Sequence, residues 1–255
     1  MTNIKSTNKE RTAEYLTKFN REKVLKHLFK EIVPVIFDIG ANDGLSLKEF
    51  KYFWNDSIVH CFEPQEECWK KLEDQAKQFK DSSVFINKTA VGSEQQKNVN
   101  FYSHDINTGL SGFNKVNIDS LDSVYLNELK GNKNSSDVNQ YVEKLNHQRF
   151  VDIIRLDDYI KSLNIEKINL LKIDTQGFEP EVLSGLGEEL KNVDVVLTEL
   201  MFYDYYDRSL SFTDIEKYLI PSGFQLYDIS HIAKNPMNGR TDWVDVIYVN
   251  NKVLR

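Results

Sequence analysis

The sequence VPVIFDIGANDGLSLKE, residues 33–49, decides how the rest of the chain is organised. Its apolar first half ends in the acid Asp38, and Gly40, Asn42 and Gly44 follow before a helical pattern begins. This succession is typical of a buried strand, a tight glycine turn and the start of a helix. In an open α/β sheet a nucleotide-like ligand binds at the carboxyl end of the first strand, where glycines let the backbone approach it closely. The stretch therefore predicts either such a ligand site or an ordinary strand–helix turn with an incidental acid.

Length and charge narrow the class of protein. The chain has 255 residues, of which 40% are hydrophobic, and this size fits one large α/β domain with a substantial core. Its formal net charge is −7, and no basic run opposes that balance. Nonspecific binding of nucleic acid or of an anionic membrane surface needs the opposite charge. We therefore expect no nucleic-acid partner.

The two cysteines and the terminal sequence bear on the compartment. Cys61 and Cys68 have no metal-ligand partner at a useful spacing, so reduced thiols in a cytoplasmic protein are expected. The polar N-terminus lacks the apolar core of a signal peptide. No stretch approaches the roughly 18 apolar residues that a membrane helix needs, so no membrane span is expected.

A second strand repeats the pattern of the first. The run at 58–62 ends in Glu63 and Pro64, and Glu63 lies 25 residues beyond Asp38. In a βαβ unit this spacing brings the two strand ends side by side, and an acid at the second end can accept hydrogen bonds from both hydroxyls of a ribose. The glycine turn reads G-x-x-x-G rather than G-x-G-x-x-G, which disfavours a nicotinamide dinucleotide and favours another adenosine ligand.

The remaining chain alternates predicted strands and helices, with two departures. A helix predicted from Lys9 to about Lys30 precedes the first strand and either packs on the sheet or covers the ligand site. Residues 103–148 interrupt the rhythm, with helical runs predicted at 118–129 and 138–145, and form either a lid that binds an acceptor or a surface insertion without a role. A strand at 99–102 is expected to form a hairpin with the strand at 84–87.

Acids stand at the ends of four predicted strands: Asp38, Glu63, Asp174 and Glu199. In a doubly wound sheet these ends share one edge. An edge dense in carboxylates repels phosphates and suits a ligand with hydroxyls, an amine or a positive centre. S-adenosylmethionine has all three, whereas no phosphate loop with Lys-Ser/Thr is present for a nucleoside triphosphate.

Several motifs together resemble the FkbM-type S-adenosylmethionine-dependent methyltransferases, a family of the class I methyltransferase superfamily. The matching stretches are FDIGANDG at 37–44, CFEPQ at 61–65, KTAVG at 88–92, RLDDYI at 155–160, LLKIDTQGFEPEVLSG at 170–185, LTEL at 197–200, LYDIS at 226–230 and NGRTDWVDVIYV at 238–249. LLKIDTQGFEPEVLSG is the most specific of them, and the insertion is longer than is usual in the family. The resemblance implies a Rossmann-like α/β fold with a seven-stranded, mostly parallel sheet of order 3-2-1-4-5-7-6, its last strand antiparallel and helices on both faces.

The resemblance also implies a set of cofactor-binding residues. The glycine turn would hold the methionine portion, Glu63 the ribose, Asn87 with its neighbours the adenine, and Asp174 would stand at the active-site edge. The full set is Asp38, Gly40, Ala41, Asn42, Gly44, Glu63, Pro64, Asn87, Ala90, Val91 and Asp174.

The predicted reaction is an S_N2 methyl transfer, in which the protein mainly aligns acceptor oxygen, methyl carbon and sulfur. Asp174 is the first candidate for a general base, and its alternative role is purely structural or cofactor-positioning. His104 in the insertion, His231 after a strand and Glu199 at a strand end are further candidates. No His and carboxylate spacing supports a divalent ion strongly, so no metal is predicted.

The sequence therefore predicts an S-adenosylmethionine-dependent O-methyltransferase acting on a hydroxyl of a sugar, a glycan or a secondary metabolite. Polysaccharide biosynthesis in the cytoplasm is the expected setting, with a small-molecule or glycan acceptor and a homodimer as the assembly to test. Residues 1–32 form a tail and cap helix, and residues 33–255 form the methyltransferase domain with the insertion at about 103–148. The alternatives are transfer to an amine, carboxylate or protein side chain, and a noncatalytic S-adenosylmethionine-binding module.

Overall fold

The computed structural model describes residues 9, 13–15, 18–29, 33–80, 83–120, 123, 139 and 141–254. The helices that the described residues contain from end to end are α1 (Arg21–Leu28), α2 (Leu45–Phe53), α3 (Glu66–Ala76), α4 (Leu156–Ser162), α5 (Glu179–Leu186) and α6 (Phe212–Leu219). The strands are β1 (Val35–Ile39), β2 (Ile58–Phe62), β3 (Val84–Asn87), β4 (Ala90–Val91), β5 (Gln96–Ser103), β6 (His147–Ile154), β7 (Ile168–Ile173), β8 (Val193–Met201), β9 (Phe224–Lys234) and β10 (Thr241–Asn250). Two 3₁₀ turns lie at Thr108–Leu110 and Gly187–Asn192. In the described part of the chain, no helix is long and apolar enough to cross a membrane.

Seven strands form the main sheet in the order β3-β2-β1-β7-β8-β10-β9. Neighbours from β3 to β8 run parallel, and β10 runs antiparallel to both β8 and β9. Counted among these seven strands alone, the order is 3-2-1-4-5-7-6 with the last strand antiparallel. The predicted Rossmann-like fold is therefore confirmed. Its order reverses between β1 and β7, so that a crevice opens at their carboxyl ends.

Two apolar cores cover the two faces of this sheet. On one face Phe37 and Ile173 pack with Leu156, Val182 and Ile215 from α4, α5 and α6. On the other face, residues of α1, α2 and α3 pack against the alternate positions of the strands, among them Leu25, Leu47, Leu72, Ile36 and Leu170. Central strands are buried on both sides and therefore read as continuous apolar runs. The helices hold the strand ends rigidly in place, which gives the crevice fixed walls.

A second, three-stranded sheet has the order β4-β6-β5. Here β5 pairs antiparallel with β6, with Val99 opposite Val151, and β4 pairs parallel with β6. The predicted hairpin between the strands at 99–102 and 84–87 is therefore wrong. Phe101, Val151 and Ile153 bury their apolar side chains in a small core of their own. That burial, rather than closeness in sequence, selects the partner strand.

The single helix predicted from Lys9 to about Lys30 is also corrected. Ala13–Tyr15 and Lys18 are helical, but Phe19 and Asn20 leave the helical conformation before α1 begins. The Asn20 side chain caps α1 by accepting a hydrogen bond from the Lys23 N–H at 2.9 Å. An Asn at this position satisfies one of the unpaired N–H groups of the first turn. The cap therefore sets where α1 starts.

The insertion folds back toward the main sheet. Tyr102 and Gly112 form one isolated bridge, and Val116 and Tyr206 form another. The helix predicted at 118–129 is wrong at its start, because Ile118 and Asp119 lie in a turn, and most of its remainder lies outside the described residues. Of the run predicted at 138–145, residues 139, 141 and 142 are helical, residues 143 and 144 form a turn and residue 145 a bend, whereas 138 and 140 lie outside the described residues.

Candidate active site

The glycine turn after β1 touches the end of β7. A Cβ on Gly40 would lie 2.0 Å from the carbonyl oxygen of Asp174, and Gly40 has a φ of +79°. Only glycine combines that conformation with so close an approach of two backbones. The N–H groups of Gly40 and Ala41 both donate to the carbonyl of Phe62 at the end of β2, at 3.0 and 3.1 Å. The turn therefore joins the ends of three neighbouring strands.

A cavity of about 550 Å³ lies at this junction, and we refer to it as the first cavity. Seven of the predicted cofactor-binding residues line it: Gly40, Asn42, Glu63, Pro64, Ala90, Val91 and Asp174. Its lining also includes Ile39, Phe62, Gln65, Phe101, Thr108, Gly109, Ser111, Phe113, Thr175 and Gln176.

Glu63 is almost completely buried and rigidly held in the wall of this cavity. One carboxylate oxygen accepts a hydrogen bond from the Asn42 N–H and the other from the Gln65 N–H, each at 2.8 Å. Burial nevertheless raises the pKa of Glu63 to about 6, since the two backbone donors only partly compensate for the lost hydration. Each oxygen keeps a second lone pair, so the carboxylate can still accept hydrogen bonds from a ligand.

The other predicted cofactor residues lie outside the first cavity. Asn87 donates to the Cys61 carbonyl at 3.1 Å, and Gly44 caps the start of α2 at a φ of +88°. Ala41 lines a neighbouring cavity on the α2 side of the turn. Asp38 is fully buried beneath the turn, where it accepts from the Ser46 hydroxyl. In this structure Asp38, Gly44 and Asn87 thus contact the turn, α2 and β2, whereas Ala41 faces the neighbouring cavity.

Lys172 is a residue of the site that the sequence analysis does not single out. Its ammonium lies 3.2 Å from an oxygen of Asp38, 3.5 Å from an oxygen of Asp174, and 2.9 Å from the Gly40 carbonyl oxygen. Burial disfavours its charge, but the two carboxylates more than offset this and raise the pKa of Lys172 above its ordinary value. One cation thus ties the turn to both strand ends. A lone charged residue within the apolar run of β7 was the available signal.

A larger cavity of about 1,510 Å³, the second cavity, adjoins the first. Gly109 and Gln176 line both of them. The second cavity contains two of the predicted catalytic residues, His104 and Glu199. Its wall is rich in aromatic side chains and also carries charged ones: Tyr141, Tyr203, Tyr205, Trp243, Lys234 and Asp242. Asp174 lines the first cavity, so the structure places one catalytic candidate in the first cavity and the other two in the second.

His104 is buried, and both of its ring nitrogens have neighbours. The Asn107 N–H donates to Nδ1 at 3.1 Å, so the neutral ring carries its proton on Nε2, which lies 3.3 Å from the Tyr141 hydroxyl. Burial lowers the pKa of His104. In this arrangement His104 has no nitrogen lone pair left to take a proton from an acceptor.

Glu199 lies in a row of carboxyl groups across the sheet edge. It faces Asp245 on β10, and Asp174 follows the last paired position of the neighbouring strand β7. Burial and the negative charges of Asp174 and Asp245 raise the pKa of Glu199 well above its usual range. His231 faces Asp245 from β9 and lines neither the first nor the second cavity.

Gln176 connects Asp174 to the insertion. It has a φ of +56°, and its amide donates to Asp174 at 2.8 Å while its carbonyl oxygen accepts from the Tyr206 hydroxyl at 2.7 Å. The Tyr206 hydroxyl also lies 3.0 Å from the Leu110 carbonyl oxygen. Nothing in the TQG sequence after β7 signalled this role.

The turn at 108–110 covers the first cavity. The Thr108 hydroxyl donates to Asn42 at 2.8 Å, and the Gln65 amide donates to the Thr108 carbonyl at 3.1 Å. Together with the Tyr206 contact, these bonds fasten residues 108–110, which we call the cover, to the wall of the first cavity. Among the residues that the structure describes, no group of three or more His, Cys, Asp or Glu side chains could hold a metal ion.

The methyltransferase FkbM domain family matches residues 38–226 of the chain. The chain belongs to this family. The match contains the glycine turn, Glu63, the insertion and the KIDTQGFE segment. It includes every described lining residue of the first cavity and most of those of the second.

Three curated relatives are similar over this region. Methyltransferase 1 of Beauveria bassiana is 27% identical over 170 residues, 65% of this chain and 64% of that protein. The 2-O-methyltransferase NoeI of Sinorhizobium fredii is 25% identical over 69% of this chain and 67% of its own length. The 31-O-demethyl-FK506 methyltransferase FkbM of Streptomyces tacrolimicus is 28% identical over 60% of each chain. The chain thus spans about three fifths to two thirds of the relatives it matches.

Proposed function

We propose that this chain is an S-adenosylmethionine-dependent O-methyltransferase, with the methyl donor in the first cavity and the acceptor hydroxyl in the second. The observation that carries the proposal is the junction of the two cavities at Gln176, beside Asp174 and with Glu63 in the wall of the first. Membership of the FkbM family supports it. The residues 33–255 would form the catalytic domain, and the insertion would act as a lid.

The lining of the first cavity fits the donor better than it fits a phosphate ligand. Glu63 and Asp174 are acids, and the described lining contains no Lys or Arg. Two acids can accept hydrogen bonds from ribose hydroxyls and an amine, whereas phosphates would be repelled. Glu63 would hold the ribose, and Asp174 would face the amine or the sulfonium. The bound donor would supply a methyl group that is already electrophilic.

We assign the remaining roles in the reaction from the surroundings of each side chain. Asp174 is 40% exposed, lines the first cavity beside Gln176, and is our choice for the group that accepts the proton of the acceptor hydroxyl. Burial and the neighbouring carboxylates raise the pKa of Glu199, which favours its protonated form, and in that form it would donate a hydrogen bond to the acceptor. His104 would shape the second cavity without taking a proton.

The acceptor that the second cavity supports best is a hydroxylated ring. Aromatic side chains can stack on the apolar faces of a sugar or macrocycle, while Glu199, Asn107 and Asp242 can bond its hydroxyls. The names of two relatives, a 2-O-methyltransferase and a 31-O-demethyl-FK506 methyltransferase, support transfer to oxygen. The transfer assay compares a glycan ring with the ring of a secondary metabolite.

Isothermal titration with S-adenosylmethionine, its demethylated product S-adenosylhomocysteine and NAD tests the donor. We expect the first two to bind and NAD not to bind. The Glu63→Gln variant should weaken S-adenosylhomocysteine binding about 10-fold or more, because a carboxylate hydrogen bond contributes about 1.5–3 kcal/mol. The exposed Glu188→Gln variant is the matched control and should leave affinity unchanged. Tight NAD binding, or no binding of either adenosyl ligand, would refute the proposal.

Transfer itself is tested with a set of hydroxylated acceptors, starting from methyl glycosides and a macrocyclic polyol. Mass spectrometry should find a gain of one methyl group on oxygen. Donor binding with methylation of amines or carboxylates in place of hydroxyls would overturn the acceptor class and leave the donor site standing.

A further inference from the structure

A third cavity of about 960 Å³ lies on the α2 side of the glycine turn. It shares Gly40, Asn42 and Asp174 with the first cavity, so a ligand in the first cavity that extends past Gly40 enters it. Its other described lining residues are Arg21, Ala41, Asp43, Leu45, Ser46, Glu49, Phe50, Lys172 and Leu197. Arg21 comes from α1, which precedes the part of the chain that matches the FkbM family.

Arg21 and Lys172 are the cations in the described lining, against the acids Asp43, Glu49 and Asp174. Lys172 is already paired with two carboxylates, because Asp38 and Asp174 both lie within 3.5 Å of its ammonium. A ligand carboxylate in this cavity therefore needs another positive partner to offset the surrounding acids.

The guanidinium of Arg21 has N–H donors without an acceptor among the described residues. Its Nη2 bonds both carboxylate oxygens of Glu49, at 2.6 and 2.7 Å. Its Nη1 lies 3.6 Å from Asp245, beyond hydrogen-bond distance. Among the described residues, the N–H groups of Nη1 and Nε have no hydrogen-bond acceptor, and about a third of the side chain is exposed. Glu49 fixes the guanidinium at the cavity and leaves its other edge open.

We propose that Arg21 binds the carboxylate at the amino-acid end of the ligand whose adenosine end occupies the first cavity. This inference rests on the proposed function, since S-adenosylmethionine carries such a carboxylate. The first turn of α1 is then part of the ligand site, and Arg21 is a specificity residue that selects ligands with an amino-acid end over plain adenosines. Its planar fork suits a carboxylate better than the point charge of a lysine does.

The test compares two ligands that differ only at that end of the molecule. S-adenosylhomocysteine carries the amine and carboxylate, and 5′-methylthioadenosine lacks both. In Arg21→Gln, isothermal titration should find S-adenosylhomocysteine about 10- to 100-fold weaker, since a charge-assisted hydrogen bond contributes about 1.5–3 kcal/mol and each 1.4 kcal/mol is tenfold. The affinity for 5′-methylthioadenosine should stay within about twofold. Lys26→Gln is the matched control, because Lys26 lies on the same helix, pairs with Glu22 and lines none of the three cavities.

Two outcomes would overturn the assignment: unchanged S-adenosylhomocysteine affinity in Arg21→Gln, or an equal loss for both ligands, which would mean a structural role. If Arg21→Gln does not fold, Arg21→Lys takes its place, with a smaller loss expected for S-adenosylhomocysteine alone. If the unaltered protein binds neither ligand, the proposed function fails and this inference fails with it. If it binds both and the variants do not discriminate, only this inference fails.

Discussion

Lys172 shows how one buried charge can decide the geometry of a site. Its ammonium lies within 3.5 Å of two carboxylates and donates to the Gly40 carbonyl, so it fixes the glycine turn against the end of β7. Removing the cation would leave Asp38, which is fully buried, without its charged partner. An uncompensated buried charge is costly, whereas the pair itself is close to neutral in stability.

Lys172→Met should therefore destabilise the protein by about 3–5 kcal/mol, the usual cost of breaking a buried ion pair from one side. Urea unfolding at neutral pH measures the change in the free energy of unfolding. Lys77→Met, which removes a cation from the exposed pair with Asp74, should leave it unchanged. Equal effects of the two substitutions would show that Lys172 is not the connection that we describe.

Glu63 would give the proposed donor site a pH dependence. Its pKa in the folded protein is about 6, above the ordinary 4.5. In the ligand-free protein, the stability that this group contributes is therefore present below pH 4.5 and is lost as the pH rises through 6. Ligand binding has the opposite sign, because only the carboxylate accepts hydrogen bonds from two hydroxyls.

The affinity for S-adenosylhomocysteine should accordingly rise by about tenfold between pH 5 and pH 7 and level off above it, since each pH unit below a pKa reduces the ionised fraction about tenfold. Isothermal titration across this range measures it. The Glu63→Gln variant should lack this rise. A rise of the same size in both proteins would assign it to another group.

At the scale of elements, the cover is held to the active-site edge by few bonds. The Tyr206 hydroxyl joins the Leu110 carbonyl to the side chain of Gln176. Tyr206 is buried and its one hydroxyl proton serves both acceptors, so removal of the hydroxyl takes away their shared donor at little cost in packing. Such a loss costs about 1–3 kcal/mol.

Tyr206→Phe should therefore loosen the cover while the main sheet stays intact. Hydrogen exchange should become faster at Gly109 and Leu110 and stay slow in β1 and β7. Tyr227→Phe, on the exposed face of β9, is the control and should change neither. If exchange at the cover is the same in Tyr206→Phe as in the unaltered protein, other contacts hold it.

The elements also show what can be predicted from the sequence and what cannot. Strands of the main sheet could be located from apolar runs, four of which end in an acid, because buried parallel strands leave a strong local pattern. The order of the strands was implied by the resemblance to the FkbM-type methyltransferases. The partner of β5 was mispredicted because it lies beyond the insertion, and only the apolar contact between Phe101 and Val151 identifies it. Glu63 and Gly40 could be placed at one cavity because strand order brings their positions together. The burial of Asp38 and the charge network of Lys172 could not, since they depend on side-chain packing.

At the scale of the whole molecule, the charge distribution argues against nucleic acid as the acceptor. The net charge is −7, and the first cavity is lined by acids with no described cation. Nonspecific nucleic-acid binding comes from phosphate neutralisation by Lys and Arg.

We therefore expect no change in the fluorescence anisotropy of a labelled single-stranded RNA or a duplex DNA at 50 mM salt, up to micromolar protein. A basic nucleic-acid-binding protein measured in parallel should give a clear rise. Salt-sensitive binding of either probe by this chain would contradict this prediction and make nucleic acid a candidate acceptor.

The cover has a consequence for the timing of turnover. It lines the first cavity through Thr108 and Gly109, and it lines the second through Gly109 and Leu110. In the proposed function, a donor in the first cavity and an acceptor in the second would therefore contact the same residues. An acceptor resting on the cover would oppose its displacement by an entering donor, so we expect sequential loading, with the donor first and the demethylated product released last. S-adenosylhomocysteine should compete with the donor and not with the acceptor in steady-state inhibition, and its release would set the upper limit on the rate of each cycle.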